Sequence, residues 1–320
     1  ISGGNEPDMD LILWDYETGA ELKRFVGTEG DIFDIAFYPN SERVLVAMQS
    51  GLILEWDLTT GAVERRLEGH GANVNGVEIS GDGRFAVSSS LDGTVIYWDL
   101  QTGQILQRMY GHFEGRGVYD VTFLPGEKHA VSSSWDGTMI VWDLQLGEQV
   151  GRWTGLLGHA GTHFSADGDW GIHRIDLSPD GTHLLSAGRD ETLLVWDVQS
   201  GQSVQRLVGH AGVVVDVQYT PDGRMALSSA QNDSLIVWDV ATGTPFRRLD
   251  TNNRINSAFQ PSMAVHPDGR TALSTDADGS ILKWQLTEPT AAELVAWLGE
   301  NRTIREFTCA ERETYGIEPL

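Results

Sequence analysis

The chain has 320 residues, of which 22 are Lys or Arg and 46 are Asp or Glu, so its formal net charge at pH 7 is −24. This excess of acidic residues argues against a nucleic-acid binder, because contact with a phosphate backbone requires clustered cations. No apolar run approaches the length of about 18 residues that a membrane helix needs. The single cysteine, Cys309, allows neither an intramolecular disulfide nor a cysteine-built zinc site. We therefore expect a globular protein with no nucleic-acid or membrane partner.

The chain starts at Ile1, and no basic segment followed by an apolar one is visible there, as a secretory signal would require. We expect a cytoplasmic location, although the composition leaves an extracellular one open. Because the first residue is not Met, we also expect this chain to be part of a longer polypeptide.

Seven of the eleven tryptophans recur in one context, an apolar run followed by Trp and, in six copies, by Asp. Successive copies lie 42, 42, 44, 54, 42 and 46 residues apart, which is about one four-stranded propeller blade each. The seven are Trp14, Trp56, Trp98, Trp142, Trp196, Trp238 and Trp284. Gly-His pairs precede four of them, at Gly69-His70, Gly111-His112, Gly158-His159 and Gly209-His210.

Short β-branched and aromatic runs between these signatures alternate with Asp-Gly and Thr-Gly turns, which is typical of antiparallel hairpins. One unit cannot bury its own faces, so neighbouring units must stack, and a ring leaves only short exposed edges. Residues 1–286 resemble the WD40 β-propeller family. The resemblance implies an all-β fold, a seven-bladed propeller.

The ring predicted from this chain lacks two strands. Only a short strand fits before Trp14, so blade 1 is expected to lack its inner strand, and blade 7 its outer strand. In the family, residues ahead of blade 1 supply both. We therefore expect an N-terminal remainder of a larger polypeptide.

Ser, His and Asp recur beside the blade tryptophans and could be misread as catalytic triads. Their repetition argues against this, since an active site is needed once and a fold device in every blade. The resemblance implies a buried network in which Asp bonds to His, His to Ser, and Ser to the Trp indole. Its predicted members are His70, Ser88, Asp92 and Trp98; His112, Ser132, Asp136 and Trp142; His159, Ser186, Asp190 and Trp196; and His210, Ser228 and Trp238.

The blades differ in how completely they keep these network residues. Blade 6 has Asn232 at the Asp position, so we expect its network to lose the charge. Blade 2 has Thr28, Val46 and Ser50 in place of His, Ser and Asp, so we expect it to have no network. Blades 3, 4 and 5 are then predicted to be the most rigid.

All length variation between copies falls between the outer strand of one blade and the inner strand of the next, on what the family calls the top face. Loops on a rigid scaffold carry function, so we expect recognition there. Aromatic and Arg side chains dominate binding hot spots. The candidate partner-binding residues are Phe113, Arg116, Trp135, Phe164, Trp170 and Arg254. The alternative for Phe164, Trp170 and Trp135 is simple packing of the loops.

The long insertion also contains His159, His163, Asp167, Asp169 and His173, but their spacing matches no metal motif, so we predict no metal and no cofactor. Beyond blade 7 the periodicity changes. Thr290 with Glu293 and Thr308 with Glu311 form capping-box patterns, which predict a short helical tail over 287–320.

The resemblance implies a non-catalytic platform that binds a protein or peptide through its top face. The net charge favours a basic or neutral partner. A structural subunit of a surface or filament assembly is the alternative. A propeller enzyme is disfavoured, because the inner-strand starts at Val74, Val118, Ile172 and Val213 offer no ring of metal-binding or acidic residues.

Overall fold

A computed structural model describes residues 1–3, 10–27, 30–113, 115–154, 171–231, 233–249, 262–275 and 280–287. Within these residues the chain forms 26 strands and no helix. The strands make seven antiparallel sheets of three or four strands each. No helix in the described ranges is long and apolar enough to cross a membrane.

The first four blades follow the chain in order. Blade 1 has β1 (Ser2–Gly3), β2 (Leu11–Trp14) and β3 (Glu21–Phe25); blade 2 has β4 (Ile32–Phe37), β5 (Arg43–Met48), β6 (Leu52–Asp57) and β7 (Val63–Glu68). Blade 3 has β8 (Val74–Ile79), β9 (Phe85–Ser90), β10 (Thr94–Asp99) and β11 (Gln104–Tyr110); blade 4 has β12 (Val118–Phe123), β13 (His129–Ser134), β14 (Met139–Asp143) and β15 (Glu148–Trp153).

The other three blades repeat the order. Blade 5 has β16 (Ile172–Leu177), β17 (His183–Gly188), β18 (Thr192–Asp197) and β19 (Gln202–Val208); blade 6 has β20 (Val214–Tyr219), β21 (Met225–Ala230), β22 (Leu235–Asp239) and β23 (Thr244–Leu249). Blade 7 has β24 (Met263–Val265), β25 (Thr271–Thr275) and β26 (Ile281–Gln285). The predicted all-β, seven-bladed propeller is confirmed. The predicted helical tail, from residue 288 onward, lies outside the described residues.

Local sequence explains the hairpins. In blade 3 the turn between β8 and β9 places Gly83 at φ 71°, and the turn between β9 and β10 places Gly93 at φ 84°, both in the left-handed region that favours glycine. In each complete blade the outer strand shifts register beside the residue preceding the signature Trp, as between Tyr97 and Trp98 in blade 3. These bulges add twist to the blade edge.

The apolar core lies between blades. One cluster joins Tyr38, Leu45 and Leu67 of blade 2 to Val77 and Trp98 of blade 3, and equivalent clusters follow at the next interfaces. Each blade therefore buries its faces against its neighbours, as the repeat requires.

Blades 7 and 1 meet through polar and aromatic contacts. The Tyr16 ring stacks on His266 at 4.3 Å, and its hydroxyl lies 2.5 Å from Thr271 Oγ1. Lys283 lies 3.9 Å from the centre of the Tyr16 ring. At the other interfaces the residue equivalent to Tyr16 is Leu or Val, such as Leu100 in the cluster between blades 2 and 3. The described residues thus include a contact across the seam of the ring.

Candidate functional site

The structure brings the network side chains of blade 3 together inside the blade. His70 Nδ1 lies 3.2 Å from Asp92 Oδ2, and His70 Nε2 lies 2.7 Å from Ser88 Oγ. The Trp98 indole Nε1 donates to the same Ser88 Oγ at 2.8 Å. Burial opposes ionisation of Asp92, but hydrogen bonds from His70 and the Gly71 amide outweigh it and lower its pKa well below the usual range.

Blade 4 repeats this geometry. His112 lies 3.0 Å from Asp136 Oδ2 and 2.8 Å from Ser132 Oγ, which accepts a hydrogen bond from Trp142 Nε1 at 2.8 Å. Ser132 is fully buried. A serine hydroxyl that solvent cannot reach and that already accepts from an indole is not placed to attack a substrate. The arrangement links strands instead of forming a hydrolytic centre.

Blade 6 corrects one prediction. His210 Nε2 lies 2.6 Å from Ser228 Oγ, and His210 Nδ1 lies 2.8 Å from Asp233 Oδ2, so the network keeps its carboxylate. The expectation that Asn232 replaces the acid was wrong, because the next residue in the turn supplies it. Asn232 itself lies outside the described residues.

In blades 5, 7 and 1 the described residues include the bond between the signature Trp and a serine. In blade 5, Trp196 Nε1 donates to Ser186 Oγ at 2.8 Å, while His159 lies outside the described residues. In blade 7, Trp284 Nε1 donates to Ser274 Oγ at 2.9 Å. In blade 1, Ser2 Oγ accepts from Trp14 Nε1 at 2.9 Å, a partner that the sequence reading missed.

Blade 2 has no serine at this position. Val46 is fully buried where the other blades have Ser, and Trp56 Nε1 is buried without a hydrogen-bond partner. Of the blade tryptophans within the described residues, Trp56 is the one whose indole nitrogen lacks an acceptor.

Arginines on the outer strands extend the network, and the sequence reading missed them. Arg108 Nη2 donates to the Gly69 carbonyl at 2.6 Å, and Arg152 Nη2 donates to the Gly111 carbonyl at 2.6 Å. Arg206 Nη1 lies 2.9 Å from Asp190 Oδ2. The signal was available, because Arg recurs three residues before Gly in five outer-strand segments. The positions are Arg24, Arg66, Arg108, Arg152 and Arg206.

On the top face, Phe113 is exposed. Its side chain is 68% accessible, and its amide nitrogen donates to Asp136 Oδ2 at 3.0 Å, which ties it directly to the blade 4 network. Arg116 lies in the same loop, half-buried, and its amide donates to the Phe113 carbonyl at 3.0 Å. Tyr110, three residues earlier, is also 68% accessible and was not among the predicted anchors.

Trp135 is held by neighbouring side chains. Its ring stacks on Tyr119 at 4.9 Å with an interplanar angle of 11°, and the Arg189 guanidinium lies 5.3 Å from its ring centre. A methyl group added at Gly171 would lie 2.6 Å from Trp135, so only glycine fits beside the ring. These contacts agree with the packing alternative for Trp135 and leave little of it free. Phe164, Trp170 and Arg254 lie outside the described residues.

His173 lies in the inner strand of blade 5. It is 3% exposed, and burial, followed by Arg189 and Arg174, lowers its pKa to about 4. Within the described parts of the chain, no group of three or more His, Cys, Asp or Glu side chains is placed to hold a metal ion.

The central channel corrects the expectation that the inner strands supply no acidic ring. Residues beyond the strand starts face a cavity of about 660 Å³ and include acidic side chains in blades 2 to 6. Each of these five side chains accepts a hydrogen bond from a backbone amide of the next blade. These pairs are Val77 N to Asp34 (2.9 Å), Phe123 N to Glu78 (2.7 Å), Ile175 N to Asp120 (2.9 Å), Tyr219 N to Asp176 (2.5 Å) and Met263 N to Asp216 (2.8 Å).

Arg174 partly neutralises this ring. From blade 5 its Nη1 lies 3.4 Å from Asp34 Oδ2 in blade 2 and 3.5 Å from Asp120 Oδ1 in blade 4. Burial nevertheless raises the pKa of Asp120 to about 7, since it outweighs the attraction of the guanidinium. The acidic ring thus joins blades to one another. These carboxylates lie two or four residues after the first residue of each inner strand, so the strand starts alone did not reveal them.

A family model described as WD domain, G-beta repeat, matches residues 61–99, 103–143, 158–197 and 201–239. With seven blades in the structure, these four matches show that the chain belongs to the WD40-repeat family and is a β-propeller. Members of this family are generally non-catalytic platforms for protein interaction. A search of curated proteins found no match to the chain.

Proposed function

We propose that this propeller binds a protein or peptide through its top face, at the junction of blades 3 and 4. The observation that carries this proposal is the pair Tyr110 and Phe113, the two most exposed aromatic side chains within the described residues. They lie on either side of the Gly-His pair that leads from blade 3 into blade 4. Exposed aromatics on a rigid base are the side chains that contribute most to protein interfaces.

Contacts with the blade 4 network hold the backbone at Phe113 in place. Its amide is bonded to Asp136, the carboxylate that also contacts His112, and the Arg152 guanidinium lies 6.0 Å from its ring centre. A preorganised side chain loses less conformational entropy on binding. The buried network therefore supports the recognition surface without taking part in chemistry.

The net charge of −24 supports a basic or neutral partner, because long-range attraction steers association. A cytoplasmic location and a place within a longer polypeptide remain predictions. Fractionation of the native host cell and the mass of the intact gene product test them.

The test replaces both aromatics in the double variant Tyr110→Ser/Phe113→Ser. Affinity purification from the native host is followed by measurement of the identified partner's affinity for wild type and variant. We expect a loss of about tenfold or more, the effect of removing about 1.4 kcal/mol of contact.

The matched control is Leu146→Ser, because Leu146 is 63% accessible and lies in the loop between β14 and β15, at the opposite end of blade 4. This variant should retain wild-type affinity. Equal binding by the double variant, or equal loss in the control, would contradict a top-face site.

A further inference from the structure

A second cavity, away from the top face, lies between blades 5 and 6. It has a volume of about 550 Å³ and opens where the first turns of the two blades adjoin. A methyl group added at Gly223 in the blade 6 turn would lie 3.4 Å from Pro179 in the blade 5 turn, so the two turns are in contact. We call this cavity the 5–6 groove, lined by Asp180, Val195, Val204, Tyr219, Asp222 and Val240 among others.

The groove exists because blade 5 has smaller side chains than blade 3 at two positions that face the next blade, and Leu207 where blade 4 has Trp153. In blade 3, Phe85 and Tyr97 occupy the equivalent positions, their rings 5.3 Å apart and packed against the blade 4 core. In blade 4, Trp153 reaches across so closely that a methyl group at Gly201 would lie 2.3 Å from its indole nitrogen. Blade 5 has His183 and Val195 at the positions of Phe85 and Tyr97.

Two carboxylates line the groove, and each uses one of its oxygens for hydrogen bonds within its own turn. Asp180 Oδ1 accepts from Ser178 Oγ at 2.7 Å and from the Thr182 amide at 3.0 Å. Asp222 Oδ1 accepts from Thr220 Oγ1 at 2.7 Å in the same way. The second oxygen of each has no hydrogen-bond partner within the described residues. Hydrogen bonds from Ser178 and Thr182 lower the pKa of Asp180 to about 2, so it is ionised at neutral pH.

A buried and unpartnered hydroxyl marks the same place. Tyr219 lines the groove, is 5% exposed, and its hydroxyl has no hydrogen-bond partner among the described residues. A buried polar group without a partner costs free energy unless something supplies the missing hydrogen bond. Asp176 and Asp180 lie close enough to raise the pKa of Tyr219, after the larger effect of burial.

We propose that the 5–6 groove binds an arginine side chain of a partner protein. The methylene stem packs against Val195, Val204 and Val240, and the guanidinium pairs with the free oxygens of Asp180 and Asp222. A planar group with five N–H donors can serve two carboxylates and a tyrosine hydroxyl together, which a lysine ammonium does less well.

The test uses blocked five-residue peptides with a single central Arg, Lys, norleucine or Glu between alanines, titrated against the whole chain by ligand-observed NMR. We expect the Arg peptide to bind about tenfold more tightly than the Glu peptide and to weaken as salt is raised. Similar binding of Arg and norleucine peptides would overturn the proposal, as would preference for Lys over Arg.

The groove can be filled without touching its carboxylates. Val195→Tyr introduces the side chain that blade 3 has at this position, and it should abolish binding of the Arg peptide. Val208→Tyr, on the same blade but 65% exposed and outside the groove, should leave binding unchanged. Near-ultraviolet circular dichroism and the melting temperature of each variant check folding.

The charged variant Asp180→Asn/Asp222→Asn gives an independent readout if Val195→Tyr fails to fold. It should lose the Arg peptide while retaining whatever weak binding the norleucine peptide shows. Retention of the Arg peptide by this variant would also overturn the proposal. The top-face variant Tyr110→Ser/Phe113→Ser should bind the Arg peptide normally, so the two sites fail or succeed separately.

Discussion

Trp56 and Trp98 occupy the same position in adjacent blades but differ in one hydrogen bond. Trp98 donates to a buried serine at 2.8 Å, whereas Trp56 faces Val46 and has no acceptor. The prediction that blade 2 has no network rested on this replacement of Ser by Val46. It did not show that the indole nitrogen of Trp56 would be buried without a hydrogen-bond partner, since burial depends on the neighbouring blade.

Val46→Thr should stabilise the protein. Thr retains one methyl group of Val and adds a hydroxyl that can accept from Trp56 Nε1. We expect the free energy of unfolding to rise by about 1 kcal/mol, the usual net value of such a bond. Urea unfolding measures it, and slower exchange of the Trp56 indole proton reports the new bond directly.

The control for this substitution is Val44→Thr. Val44 is also fully buried and is paired with Trp56 across the strands, but its position corresponds to Ala86 of blade 3, not to the serine. It should destabilise the protein, because a buried hydroxyl without a partner is costly. If both substitutions destabilise equally, the missing acceptor is not what weakens blade 2.

At the scale of the secondary-structure element, a complete network joins the second and third strands of a blade to the His that precedes its first strand. In blades 3, 4 and 6, His contacts Asp from the turn between the second and third strands, Ser from the second strand, and through Ser the Trp of the third strand. Blade 2 lacks the Ser and the Trp bond. Recurrent spacing identified most of these residues. The arginines on the outer strands recur at a fixed spacing before Gly, but Arg108 and Arg152 bond to backbone carbonyls, so no partner side chain in the sequence pointed to them.

Amide hydrogen exchange should follow this division. The third strands of blades 3, 4 and 6, namely β10, β14 and β22, should exchange about tenfold or more slowly than β6 of blade 2, corresponding to about 1.4 kcal/mol of local stability. Mass spectrometry of peptides from native-state exchange measures this. Uniform protection of the four strands would show that the networks add nothing to local stability.

At the scale of the whole molecule, the acidic ring in the channel connects each blade to the next. Burial is the main cause that raises the pKa of Glu78 to about 7, of Asp176 to about 8 and of Asp216 to about 6. A carboxyl group whose pKa is raised in the folded state stabilises that state at low pH. This stability is lost as pH rises from the unfolded pKa through the folded one.

The free energy of unfolding should therefore fall as pH rises from about 4 towards 8. Asp92 and Asp136 have the opposite effect, because their pKa values are lowered in the folded state. The stability that they contribute is lost only as pH falls below the ordinary pKa range of Asp. Urea unfolding at pH 5, 6.5 and 8 measures the trend. The variant Asp176→Asn keeps an oxygen for the Tyr219 amide but cannot ionise, so its decline should be smaller by roughly 1 kcal/mol or more.

The control is Asp99→Asn, at the half-buried last residue of β10, whose pKa is lowered by its hydrogen bonds with Thr102. Its substitution should leave the decline between pH 5 and 8 unchanged. A protein whose stability rises over this interval would contradict the assignment of the channel carboxylates.

Repetition let the sequence alone determine the number of blades, the turns between strands and the chemistry of the buried network, because each blade must solve the same packing problem. Contacts between blades were decided only by the tertiary structure. Asp233 replaces its neighbour because a turn can shift by one residue, and Asp176 reaches an amide in another blade. Trp135 is packed while Phe113 is exposed, although both looked like anchors. The 5–6 groove depends on which side chains of another blade lie opposite Val195. A local sequence pattern does not show which residues face each other across an interface.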